Sequence, residues 1–164
     1  MLKTKRLILR APRAVDLDAM HAVYSDPRAM AFWSTSAHDD ISITKDLLDR
    51  RMSHWARAPV NFQIELDGQY IGNAGNFMDN EVGFMLSQNH WRKGYVSEAM
   101  SAIIPHLWAI TDHAELIADA DPRNTASIRL LNALGFRETH RADKTFFING
   151  AWADSVYFAL KRPQ

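Results

Sequence analysis

The chain has 164 residues, 47% of them hydrophobic and 23% charged, which suits a single globular domain spanning 1–164 with a real core. Nineteen basic residues balance nineteen acidic ones, so a broad basic face for nucleic acid is not expected and any anion site must be local. The absence of cysteine excludes disulfides, thiolate nucleophiles and cysteine-ligated zinc, and with them a covalent acyl-cysteine mechanism.

Met1 to Arg6 leads into strand-like residues without a long apolar segment, and no 18-residue apolar run follows, so a cytoplasmic protein with no membrane partner is expected. Arg6 to Arg10 reads as a short strand closed by Pro12. Asp16 is placed to cap a helix carrying Leu17, Met20, Val23 and Tyr24, which Asp26-Pro27 ends. Met30, Phe32 and Trp33 follow without a period and read as core filling. Ile43, Leu47, Leu48, Met52 and Trp55 define a second amphipathic helix, with Arg50, Arg51 and Arg57 suited to its negative C-terminal pole. Phe62, Ile64 and Leu66 alternate, Asp67-Gly68 is a hairpin turn, and Tyr70 to Phe77 returns as the next strand. Gly72 and Gly75 lack the third glycine and the following helix of a dinucleotide fingerprint.

Val82 to Leu86 is an apolar run of strand length, ended by Ser87-Gln88-Asn89-His90. From Val96 the apolar positions Ala99, Met100, Ile103, Ile104 and Leu107 recur on one helical face. Between them lies the basic turn Arg92-Lys93-Gly94-Tyr95, whose glycine permits a positive φ and close approach of a ligand. The free amides of the helix's first turn point at that turn, an arrangement that attracts phosphate. On spacing alone, an ordinary loop with two solvated charges is the simpler reading. Pro105 should kink the helix or end it early. His106 and His113 are seven residues apart without a third ligand nearby, so no metal site is expected.

Glu115 to Asp119 reads as a strand, Thr125 to Leu134 as a helix stopped by Gly135, and Thr145–Ile148, Asn149-Gly150 and Trp152–Leu160 as a closing hairpin. These elements predict a three-layer α/β domain with helices on both faces of a mixed, mostly antiparallel sheet. The sheet is parallel only where the strand from Val82 and the strand from Glu115 are joined by a helix.

Two of these segments resemble a known family. Trp91-Arg92-Lys93-Gly94-Tyr95-Val96-Ser97-Glu98-Ala99 is similar to the acyl-CoA-binding motif of the GNAT N-acetyltransferases, most closely the RimJ/RimL-type branch that acetylates ribosomal-protein N-termini. Arg92 and Val96 depart from that motif, which wants small residues there. The string Asn124-x-x-Ser127-x-x-Leu130-x-x-x-Leu134-Gly135-Phe136 resembles a second signature of the same family, in the right order.

The resemblance implies acetyl-CoA as co-substrate, its pantetheine arm lying where the two parallel strands splay and pairing with the backbone of Phe84, Met85 and Leu86. An amide near Met85 would polarise the thioester oxygen, and the diphosphate would rest on Arg92, Lys93, Gly94, Tyr95, Val96 and Ser97, with Asn124 on the same side. Trp33, His54 and Trp55 become candidates for acceptor contact.

Amide formation from a thioester needs a held acyl carrier, a neutral amine and stabilisation of an oxyanion. Glu81, at the start of the organising strand, is the first choice of base, against the competing reading of a solvated strand-end charge, with Asp119 as the next cleft carboxylate. Many family members place a tyrosine as general acid where this chain has Leu131, so Ser127, or a water held by Asn124, is the substitute. The expected function is an N-acetyltransferase acting on a primary amine, either a protein N-terminus or a small molecule, with a homodimer left open. The alternative is a catalytically silent acyl-CoA-binding module.

Overall fold

Residues 1–164 are described by a computed structural model. Strands β1 (Leu2–Lys3), β2 (Ile8–Arg10), β3 (Asn61–Leu66), β4 (Gln69–Met78), β5 (Glu81–Leu86), β6 (Glu115–Ala120), β7 (Arg137–Ile148) and β8 (Ala151–Lys161) form one sheet in the order β1-β2-β3-β4-β5-β6-β8-β7. Helices α1 (Leu17–Tyr24) and α2 (Ile41–Trp55) cover one face, and α3 (Tyr95–Ile110) and α4 (Thr125–Ala133) the other.

The strand sequences follow from this two-sided burial. On β3, Phe62 and Ile64 face the core beneath α3, while Gln63 and Glu65 are buried on the opposite face, so the alternation separates apolar from polar rather than inside from outside. On β5, Val82 and Leu86 join the α3 core and Met85 the α1/α2 core. Leu116, Ala118 and Ala120 of β6 also face α3, which leaves Ile117 and Asp119 on the α1/α2 side.

The β3–β4 turn has φ 50 at Asp67 and 80 at Gly68, and the β7–β8 turn 51 at Asn149 and 80 at Gly150, the paired positive values of a two-residue hairpin. Gly72 has a packing role, since a Cβ there would collide with the Met85 carbonyl.

Four expectations need correction. Asp16 precedes α1, but its side chain does not cap that helix; it accepts instead from the Arg13 amide at 2.8 Å in the turn before it. It takes two bonds from the Arg10 guanidinium at 2.8 and 2.7 Å, and Glu65 completes the pairing of this buried cation, raising the Arg10 pKa. Ile43 and Met52 face solvent, and α2 instead buries Thr44 and Leu48. Pro105 does not end α3 early, since the helix runs on to Ile110 with the proline on its exposed side. The last hairpin is longer than its turn signals suggest, because β7 begins at Arg137 and is an exposed edge strand held through its backbone to β8.

Candidate active site

β5 and β6 are the parallel pair, registered only at Glu81↔Ile117. Asn80 fixes the junction: its carbonyl accepts from the Ile117 amide and its side-chain amide donates to the Glu115 carbonyl, both at 3.0 Å. Beyond Ile117 the strands part, leaving backbone edges of β5 and β6 free to bond something inserted between them. The resulting cleft holds about 950 Å³ and runs from this fork to the start of α3.

At the α3 end, Gly94 has φ 78 and occupies the N-cap position, with no side chain satisfying the amides behind it. Its positive φ disfavours any other residue, and a Cβ there would meet nothing closer than the Arg6 side chain at 3.5 Å. Arg92 is also left-handed, at φ 60. The turn is clamped from the N-terminus of the chain. Arg6 donates to Glu98 through its backbone amide at 2.8 Å and its Nε at 2.6 Å, and to the Lys93 carbonyl at 2.9 Å. Its guanidinium lies 4.5 Å from the centre of the Tyr95 ring. Burial works against the Glu98 charge, but bonds from Thr4 and Arg6 hold its carboxyl below its ordinary pKa. Sequence reading missed this clamp, because Arg6 and Glu98 carry no pattern that joins them.

At the fork, alternation places Glu81, Gly83, Ile117 and Asp119 on the α1/α2 face. Burial and then the neighbouring Asp119 raise the Glu81 pKa, and burial raises that of Asp119 although a Ser155 hydrogen bond pulls it down. Phe77 lies against Gly83, where a Cβ would come within 3.1 Å of its ring, and Trp33 packs on Phe77 at 5.6 Å between centroids. The far wall comes from the β7–β8 hairpin, whose Asn149 accepts a 2.7 Å bond from Ser36. Arg123, paired with Asp121, lies 5.9 Å from the Phe32 ring.

Of the expected site residues, Glu81, Phe84, Met85, Leu86, Arg92, Gly94, Tyr95, Val96, Ser97, Asn124, Ser127 and Trp33 line this cleft. Lys93 does not: its ammonium donates to the Asn89 carbonyl at 2.9 Å, outside the cleft. Trp55 lies elsewhere too, packed edge-on against Phe62 at 4.9 Å, because it ends α2 over the core. His54 sits beside it in a smaller hollow. The Leu86 carbonyl accepts from the Trp91 indole at 2.8 Å, which ties the end of β5 to the turn before α3. The Asn124 side chain accepts from the Ser127 amide at 3.1 Å and so caps α4, while the Ser127 hydroxyl has no partner. Leu131 is 1% exposed at the cleft wall.

An unpaired strand edge leading to a helix N-terminus across a splayed parallel pair is the geometry the two sequence motifs imply, and residues 6–137 match the acetyltransferase (GNAT) domain family. The chain belongs to the GNAT acetyltransferase family. An uncharacterized N-acetyltransferase, p20, of Bacillus licheniformis is 32% identical over 147 residues, 84% of this chain and 82% of its own. The ribosomal protein uS5-alanine N-acetyltransferase of Escherichia coli (strain K12) shares 32% identity over 89 residues, 54% of this chain and 46% of that one. The spermidine N-acetyltransferase of Vibrio cholerae, solved with CoA and spermine, has the same fold, with a TM-score of 0.78 over 95% of each chain at 20% identity. This GNAT chain is thus an acetyl-CoA-dependent N-acetyltransferase, and catalysis displaces the silent-module alternative. No helix is long and apolar enough to cross a membrane.

Proposed function

We propose that the chain transfers the acetyl group of acetyl-CoA directly to a primary amine that enters past Trp33 and Phe77, with Glu81 as the base, and that it does so in the cytoplasm. The observation that carries this reading is the fork itself: the free edge of β5 begins at Glu81 and ends before the uncapped amides of α3. A pantetheine arm needs the first and a diphosphate the second.

The residues then divide the chemistry. The backbone of Phe84 faces the fork and holds the arm, and its amide polarises the thioester carbonyl, whereas the Met85 amide and carbonyl are turned to Asn73 of β4. The amides of Tyr95, Val96 and Ser97, with Arg92, hold the diphosphate, where the positive pole of α3 favours charge. Alkylammonium groups are protonated at neutral pH, so the nucleophile must lose a proton first. A carboxylate whose pKa is raised by burial is a stronger base than an exposed one, and Glu81 is such a group. The acceptor is a protein N-terminus or a small amine, the two classes named for the relatives.

The test is thiol release from acetyl-CoA with a panel of small amines and N-terminal peptides. Release over many turnovers with at least one acceptor is expected. Binding of acetyl-CoA without turnover on any amine would overturn the reading.

A further inference from the structure

The turn that joins β1 to β2 is closed by the Thr4 amide on the Leu7 carbonyl and by the Leu7 amide on the Thr4 hydroxyl, both at 3.0 Å. It presents Thr4 and Arg6 to the first turn of α3. There the Glu98 carboxylate accepts the Thr4 hydroxyl at 2.6 Å and the Arg6 amide at 2.8 Å on Oε1, and Arg6 Nε at 2.6 Å on Oε2. Arg6 Nη1 donates to the Lys93 carbonyl at 2.9 Å, so one guanidinium holds the chain on both sides of Gly94. Arg6 itself does not line the cleft.

Stability is a poor account of this arrangement. Arg6 keeps 40% of its side chain exposed, and ion pairs that open add little to folding. Its guanidinium also stands over the ring of Tyr95, the first residue of α3, where the positive pole of the helix repels a cation. That position becomes favourable when an anion sits at the pole. Glu98 is the opposite case. A carboxylate in the first helical turn is drawn to the same pole, and to the same uncapped amides that an incoming anion needs. Arg6 is the only cation paired with it, and the three hydrogen bonds turn it toward the β1–β2 turn and leave those amides bare.

We propose that Arg6 is a positioning residue for the diphosphate of acetyl-CoA. It keeps the Glu98 carboxylate off the amides of Tyr95, Val96 and Ser97, balances its charge, and fixes the Lys93–Gly94 turn from behind. This rests on the placement of the diphosphate in the reading above. The β1–β2 turn thereby becomes part of cofactor recognition although it touches no cofactor.

The experiment measures acetyl-CoA affinity by calorimetry, and turnover with two acetyl donors, acetyl-CoA and S-acetylpantetheine, which carries the same arm without the diphosphate. Arg6→Met removes the charge and the donors but keeps the aliphatic stem. Its Kd for acetyl-CoA should rise about tenfold, with kcat at saturating acetyl-CoA held and the loss of kcat/KM confined to the donor that has a diphosphate. Adding Glu98→Gln to this variant removes the competing carboxylate and should recover most of the lost affinity. An unchanged Kd, an equal loss with both donors, or no recovery in the double variant overturns the proposal. Where Arg6→Met does not fold, Arg6→Lys replaces it, since an ammonium lacks the planar fork that reaches Glu98 and the Lys93 carbonyl together. A several-fold higher Kd supports the proposal and a wild-type Kd overturns it. A wild-type protein that does not bind acetyl-CoA overturns the underlying reading instead, and one that binds it but acetylates no amine leaves the calorimetric comparison to decide the role of Arg6.

Discussion

At the α3 end of the cleft the ligand-facing groups are backbone amides of one continuous segment, Tyr95 to Ser97, set by the positive φ of Gly94. At the fork they are side chains drawn from Trp33, Phe77, Glu81, Asp119 and Ser155, which lie on different elements and meet only because the strands between them pair. On the proposed reading the first end recognises a feature common to every CoA ester, for which a local backbone device suffices. The second must select one amine and move protons, which needs ionisable and aromatic groups whose placement no single segment can fix. If this division is right, substitutions at one end change affinity for acetyl-CoA and substitutions at the other change turnover.

The largest expected effect lies at the fork. Glu81→Gln keeps shape but cannot accept a proton, so kcat should fall roughly 10²- to 10⁴-fold while acetyl-CoA affinity by calorimetry holds. The same substitution should stabilise the fold at neutral pH. The raised Glu81 pKa means that its stabilising contribution is complete only below the unfolded value of about 4.3 and is lost as pH rises through the folded value. Thermal unfolding should show the glutamine variant ahead at neutral pH and the advantage gone in acid.

Leu131 tests where the core stops and the cleft begins. It is 1% exposed and belongs to the core between the sheet and α4, so Leu131→Ala should cost about 2–5 kcal/mol by denaturant unfolding. Turnover of the folded fraction should hardly change; a stable variant with altered acetyl-CoA affinity would move this side chain into the cofactor site.

Smaller effects follow at each end. Gly94→Glu forces a side chain into a left-handed position and adds negative charge at the diphosphate, so acetyl-CoA affinity should fall at least tenfold, or about 1.4 kcal/mol. Unchanged affinity in a folded variant would place the diphosphate elsewhere. Trp33→Ala removes one aromatic wall at the amine entrance, worth about 1 kcal/mol to a cationic acceptor. It should raise KM for the amine several-fold and leave acetyl-CoA binding alone, and a change confined to acetyl-CoA would erase the distinction between the ends.

The same division explains what was legible in the sequence. Gly94, Gly135, Asn124 and the Asp67-Gly68 and Asn149-Gly150 turns act through their own backbone neighbourhood, so spacing alone located the elements they punctuate. Long-range partners left no such trace. Asp16 looks like a cap until Arg10 and Glu65 are folded beside it, and Trp55 looks like a cleft aromatic until α2 lays it on Phe62. The sequence predicts only the end of β7, because the exposed edge strand over residues 137–144 has no apolar alternation to display. Lys93 shares the basic turn with Arg92, yet one residue along a tight turn points it away from the cleft. The pairing of Asp119 with Ser155 exists only through the β6–β8 register.

The claim at the centre of this account is that Glu81 moves a proton rather than merely holding the amine. The most direct test compares turnover of the wild type and Glu81→Gln with one acceptor across pH, at saturating acetyl-CoA. A base has less to do as more of the amine is already neutral, so the ratio of the two rates should shrink steadily toward high pH. A ratio that stays the same at every pH would assign Glu81 to positioning alone and contradict the account.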